Sequence, residues 1–188
     1  MQTQRLEAFT DGVVAIIITI MVLELPVPKQ AGMSALQPMA VLFAAYAVAF
    51  IKVGMYWSNH HHMLHAARKV DGRVLLANLF LLFWLSLVPY VVRWVGEAGV
   101  TRDTVAAFGV LMFMCALSYA LLKRTLIGCD PDGPVARATG NDAKGRYSII
   151  AYAIAVLAAF AWPPLAIAIY LGVAALWLVP DRRFEGVE

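Results

Sequence analysis

Polar and ionisable side chains are concentrated at the start of the first hydrophobic segment of the chain. Glu7, Thr10 and Asp11 lie just before a mainly apolar stretch, residues 13–25. Thr10 and Asp11 can form a simple helix cap, since side-chain oxygens and negative charge are favoured at a helix start. Alternatively, Asp11 lies far enough inside the membrane to need a partner in protein or water. The residues at the helix start leave both interpretations open.

A second group of candidate residues ends the next hydrophobic segment, where four histidines lie within residues 60–65. His61 and His65 are four residues apart, a spacing at which two imidazoles can bind zinc from one helix face. No cysteine or obvious third acidic ligand accompanies them, so we expect no metal ligand set. Hydrogen bonding of Asn59, His60 or His61 to the start of the first segment is preferred, and a solvated pH-sensing cluster is the other alternative.

The first segment also carries an apolar face. Ile16, Ile20 and Leu23 lie at about 0°, 40° and −20° around a helix. Such a face can pack against lipid or a neighbouring helix. It can also line a pore, where a narrow apolar ring blocks ions because they do not leave water to enter it. The spacing alone does not decide between these two.

The composition defines the elements that position these residues. The chain has 188 residues, of which 62% are hydrophobic and 14% are charged. Soluble domains average about 45–50% apolar and about 25% charged residues, so the sequence predicts an all-α integral membrane protein. A spanning helix needs about 20 mostly apolar residues. We predict one transmembrane domain over 1–188 with six spans, at about 8–25, 39–59, 74–94, 104–123, 147–162 and 164–179.

The basic residues indicate the orientation of the spans. Eleven Lys and Arg residues fall on the side that holds both termini and three fall on the other, which predicts cytoplasmic termini and a multi-pass protein of the cytoplasmic membrane. Lys52 falls inside the second span and is not assigned. The same distribution explains the net charge of +3, and no basic stripe with interleaved aromatics indicates a nucleic-acid partner.

The start of span one resembles a known family signature. The pattern Arg5-x-x-x-Phe9-Thr10-Asp11 is similar to the Arg-x-x-x-Phe-Ser-Asp motif of the transmembrane protein 175 family of potassium channels, with Thr10 in place of the usual serine. The six-span length and the Trp57-x-Asn59-His60-His61 end of span two are similar to the bacterial members. The resemblance therefore extends over essentially the whole chain.

This resemblance implies a homotetramer in which the first helix of each subunit lines a central pore. It implies Ile16 as the main constriction, with Ile20 and Leu23 outward of it, and Thr19 at a position linked to potassium preference. It also implies that residues of the signature and of the end of span two hold the first helix to its neighbours; these are Arg5, Phe9, Thr10, Asp11, Trp57, Asn59, His60 and His61.

The function that we expect is a potassium-permeable channel that passes cations passively through a pore with hydrophobic constrictions. We expect no enzyme activity and no cofactor, because no catalytic or phosphate-binding motif is evident. The expected partners are the lipid bilayer, potassium ions and further copies of the chain. The alternative is a proton-coupled secondary transporter that uses Asp11 and the His60–His65 cluster, since buried acids and histidines mark proton paths.

Overall fold

The computed structural model describes residues 3–28, 32–140 and 142–178, and within these ranges its regular structure is helical. A 3-10 helix over Met33–Met39 runs directly into the second α-helix. The α-helices are α1 Thr3–Leu23, α2 Ala40–His65, α3 Gly72–Ser86, α4 Val88–Ala98, α5 Arg102–Cys129, α6 Pro134–Thr139, α7 Ala143–Ala161 and α8 Pro163–Leu178. The prediction of an all-α fold is confirmed.

Five helical stretches of the described chain are long and apolar enough to cross a membrane. They are residues Thr3–Leu23, Met33–His65, Gly72–Ala98, Arg102–Cys129 and Ala143–Ala161. Helix α8 has 16 described residues, which is a length of about 24 Å against a hydrocarbon core of about 30 Å. The sixth predicted span ends at residue 179, which lies outside the described residues, so a sixth crossing stays a prediction.

The third predicted span is divided at Leu87 into α3 and α4. Pro89 lies in the first turn of α4 and has no N–H to continue the helical hydrogen bonds backwards. The Leu87 N–H donates to the carbonyl of Trp84, three residues earlier, at 3.2 Å. A proline thus converts a span that looks continuous in the sequence into two helices joined by one tight turn.

Side-chain caps fix the starts of α3 and α5. The Asp71 carboxylate accepts the backbone N–H groups of Arg73 and Val74 at 2.9 and 3.0 Å and begins α3. These hydrogen bonds, that from Val74 above all, lower the pKa of the Asp71 carboxyl from its ordinary value. Thr101 and Thr104 form a reciprocal capping box at the start of α5. Both caps stand where a spanning stretch begins.

Helix α5 is central and packs most closely against α7 and α3, while α7 also packs along α8. The buried face of α7 carries Ala155 and Ala159, which leave no exposed surface and let helix backbones approach closely. Helix α1 packs mainly against α2, with smaller contacts to α3 and α4. It therefore lies at one side of the bundle, with one face buried in it and another face outside it.

Candidate functional site on the first helix

The buried face of α1 is defined by five residues at helical spacing. They are Leu6, Thr10, Val14, Ile17 and Met21. Successive members are three or four positions apart, so they form one stripe that turns toward α2, α3 and α4. Four of them are apolar and Thr10 is the polar exception. The single hydroxyl in this stripe needs a hydrogen-bond partner, because an unpaired buried polar group is costly.

The partner of Thr10 is Asn78 of α3. The Asn78 Nδ2 donates to Thr10 Oγ1 at 2.9 Å, and Asn78 Oδ1 lies 2.7 Å from His60 Nε2. Because the amide oxygen can only accept, His60 donates from Nε2. All three side chains are buried. One hydrogen-bonded chain thus connects α1, α3 and α2 and fixes the rotation of α1 about its axis.

A second set of contacts joins α1 to α2 around the rest of the signature. Trp57 Nε1 donates to Asp11 Oδ1 at 2.8 Å. One turn earlier on α1, Glu7 Oε1 lies 2.7 Å from His61 Nδ1. The ring of His61 also stacks on that of Trp57, with their centres 6.0 Å apart. Asp11 therefore has the hydrogen-bond partner that its predicted depth in the membrane requires.

The structure does not bring every predicted residue to this site. Arg5 is exposed, and no hydrogen bond or ion pair joins it to the described residues. Asn59 donates to the Met55 carbonyl of its own helix at 2.7 Å, and its backbone carbonyl accepts from Tyr119 of α5 at 3.1 Å. Asn59 thus joins α2 to α5 instead of to α1. Phe9 is half exposed, and the roles predicted for it and for Arg5 stay predictions.

The candidate pore residues lie on an exposed face of α1, roughly a third of a turn around the helix from the buried stripe. Ile16 is 58% exposed, Ile20 41% and Leu23 78%. Thr19 is exposed beside them, and its hydroxyl lies within hydrogen-bond distance of the carbonyls of Ala15 and Ile16, at 2.9 and 3.0 Å. The Thr19 oxygen can donate to a carbonyl and still accept from, or coordinate, a group on the outer side.

The far end of α1 carries one more charged contact. Glu24 Oε2 lies 3.7 Å from Arg93 Nη1 of α4, and Arg93 Nε also donates to Glu97 Oε1 at 2.8 Å. The carboxylate of Glu24 is thus partly neutralised within its own subunit.

Sequence reasoning missed Asn78 and Glu7. Asn78 is a single amide in the otherwise apolar stretch of α3, and such a residue in a spanning helix is a recognisable signal of an interhelical hydrogen bond. In the sequence, Glu7 is only one of several polar residues at the helix start. Its position opposite His61 depends on how α1 and α2 pack, so no local pattern indicates it.

These features define a multi-pass α-helical membrane protein whose first helix packs against the bundle on one face and is exposed on another. Residues 5–89 match the family model described as endosomal/lysosomal potassium channel TMEM175. The chain is 45% identical to a potassium channel of a Chryseobacterium strain over 182 residues, 96% of this chain and 95% of that protein. It is 32% identical to a potassium channel of Streptomyces collinus over 94% of this chain and 91% of that protein.

A solved structure shares the fold. The crystal structure of a lysosomal potassium-selective channel TMEM175 homolog from Chamaesiphon minutus superposes with a TM-score of 0.83 at 23% identity, over 95% of this chain and 97% of that one. The chain belongs to the TMEM175 family. This confirms the resemblance that the Arg5 to Asp11 signature indicated.

Proposed function

We propose that this chain is a potassium-permeable channel of the cytoplasmic membrane that conducts passively. The two bacterial relatives that match it over nearly their whole length are named potassium channels. Passive flow needs a pore and a barrier but no catalytic residue. The proton-coupled transporter alternative has no such support, because both of these relatives are named channels.

The pore in this proposal lies on the axis of a homotetramer of six-span subunits and is lined by α1. The observation that carries it is the division of α1 into two faces. A hydrogen-bonded chain through buried Thr10 holds one face in the bundle, while Ile16 and Leu23 are 58% and 78% exposed on the other. Such an anchored helix with an apolar outer face can form a dry constriction when copies meet around an axis.

Within the pore, Ile16 is the main constriction, with Ile20 and Leu23 in the next turns outward. Thr19 provides a ring of hydroxyl oxygens between these apolar layers, where a potassium ion could exchange part of its water shell for protein oxygen. Both termini face the cytoplasm, in keeping with the excess of Lys and Arg on that side.

The direct test is potassium flux through the purified chain reconstituted in liposomes. Ile16→Asn places polar groups at the constriction, so water can enter it and flux should rise. A tenfold increase requires the barrier to fall by about 1.4 kcal/mol. The matched control is Leu157→Asn, which makes the same kind of change at a 74% exposed apolar position of α7, and we expect it to leave flux unchanged.

A second experiment tests the assignment of the three constriction residues. If replacing Ile16, Ile20 and Leu23 together changes neither flux nor the preference for potassium over sodium, these residues do not form the barrier. If the wild-type chain passes potassium only with an opposing proton gradient, the transporter alternative replaces the channel.

A further inference from the structure

Three side chains with metal-binding atoms converge between α1 and α2. Glu7 and Asp11 lie one turn apart on α1 and His61 faces them from α2. One ligand atom from each residue lies within 4.8 Å of the other two. All three side chains are partly buried. This is a mixed carboxylate and imidazole set contributed by two helices, which differs from the His61 and His65 pair that the sequence alone suggests.

The contact between His61 and Glu7 is close but is not aligned as a hydrogen bond. The two atoms His61 Nδ1 and Glu7 Oε1 are 2.7 Å apart. Nevertheless, Nδ1 is inaccessible to solvent and forms no hydrogen bond of acceptable angle with a described residue. Two atoms that bind the same metal ion are close together without being aligned for a hydrogen bond, because the lone pair of each points at the ion. In a tetrahedral site with metal–ligand bonds of about 2.0–2.2 Å, neighbouring ligand atoms are roughly 3.3–3.6 Å apart, so these two atoms need to separate by less than about 1 Å to hold an ion.

The surroundings hold the ligands in position. Trp57 Nε1 donates to Asp11 Oδ1 at 2.8 Å, which orients that carboxylate and leaves Oδ2 available. The His61 ring lies between the rings of Trp57 and His65, each with its centre 6.0 Å away. Outer contacts of this kind orient metal ligands and raise affinity.

We propose that Glu7, Asp11 and His61 bind a divalent transition-metal cation of the zinc class and thereby clamp α1 to α2. One imidazole and two carboxylates suit zinc, cobalt or manganese, and three protein ligands leave a position for water. The two carboxylates supply two negative charges to a divalent ion. The site does not depend on the channel function, because it is complete within one subunit.

The test uses the full chain in detergent, purified without a polyhistidine tag, titrated with cobalt(II). The visible absorption of cobalt reports an imidazole and carboxylate ligand field directly. We expect binding equimolar with the chain, displacement by zinc, and at least about tenfold weaker binding in Glu7→Gln and His61→Gln. Zinc should also raise the unfolding temperature of the wild-type chain, since a ligand that binds only the folded state stabilises it.

The matched control is Glu24→Gln, at the other end of α1, which should bind cobalt as the wild type does. His65→Gln removes only the outer ring contact to His61 and should weaken binding less than Glu7→Gln or His61→Gln does. The unfolding temperature of each variant without metal shows whether it is folded. Absence of equimolar cobalt binding by the folded wild type overturns the proposal. So does loss of binding in His65→Gln with retention in Glu7→Gln, which would place the metal on the histidine pair. Potassium flux, measured after the same preparations are reconstituted in liposomes, is a separate readout, so failure of the metal site and failure of the channel function are distinguishable.

Discussion

Thr10 offers the sharpest test of how α1 is held. Its hydroxyl accepts from Asn78, which in turn accepts from His60. Thr10→Val keeps the shape of the side chain and removes the oxygen, so the Asn78 N–H loses its partner in a buried position. Thr10→Ser is the matched control, because it keeps the hydroxyl and is the residue that the family signature usually has.

Two magnitudes bear on the cost of Thr10→Val. A buried donor left without a partner costs about 1–3 kcal/mol in soluble proteins. Interhelical hydrogen bonds in a membrane protein average about 0.6 kcal/mol and reach about 1.7, because the unfolded chain in the membrane also finds partners. The second scale applies here, since the bond joins two spanning helices. At 2.9 Å and full burial we expect about 1 kcal/mol, which is roughly a fivefold change in the folding equilibrium.

The assay is equilibrium unfolding in mixed detergent micelles, arranged as a double-mutant cycle of Thr10→Val with Asn78→Leu. The loss of the His60 contact is common to both sides of the cycle and cancels. We expect a coupling energy of about 1 kcal/mol in the cycle of Thr10→Val with Asn78→Leu. The cycle of Thr10→Ser with Asn78→Leu should show a coupling energy near zero, because serine keeps the hydrogen bond to Asn78. If the effects of Thr10→Val and Asn78→Leu on stability add to within about 0.3 kcal/mol, the conclusion that this hydrogen bond holds α1 is refuted.

Two further predictions concern contacts within the subunit. Gly109→Ala would place a Cβ in steric overlap with Tyr170 Oη, so Tyr170 must move and lose its bond to the Val105 carbonyl. We expect a destabilisation of about 1–3 kcal/mol, and an unaltered unfolding midpoint would contradict this packing. Trp57→Phe removes the donor to Asp11 and keeps an aromatic ring, so it should lower stability by about 0.5–1.5 kcal/mol. Asp11→Asn, which keeps an acceptor oxygen, should cost less, and the reverse order would show that the 2.8 Å bond is not the important contact.

Much of the fold was predictable because it depends on local composition. A stretch of about 20 apolar residues needs no knowledge of its neighbours to be identified as a spanning helix. The break at Leu87 was less visible, since Pro89 lies inside an apolar stretch and spanning helices tolerate proline. The sixth span and the assembly of four subunits stay predictions, because the first lies partly outside the described residues and the second needs further copies of the chain.

The candidate site was predictable in kind but not in its partners. The residue types at Asp11 and His60 indicated that both need hydrogen-bond partners, and both have one. The sequence predicts a bond from Asn59, His60 or His61 to the start of α1. His61 lies 2.7 Å from Glu7 of α1, whereas Asn78 lies between His60 and Thr10. Asn59 does not bond to α1: its side chain donates to the Met55 carbonyl of its own helix, and its backbone carbonyl accepts from Tyr119 of α5.

The sequence by itself determined the class of the protein, the approximate positions of its spans and its family, since hydrophobicity and a short signature are properties of contiguous residues. Only the tertiary structure decided which face of α1 is buried and which carries Ile16 outward. It also brought Glu7 opposite His61 across two helices. The physical reason is the same in both cases: periodicity defines the faces of a helix, but the partner of each face depends on the rotation at which the helices pack.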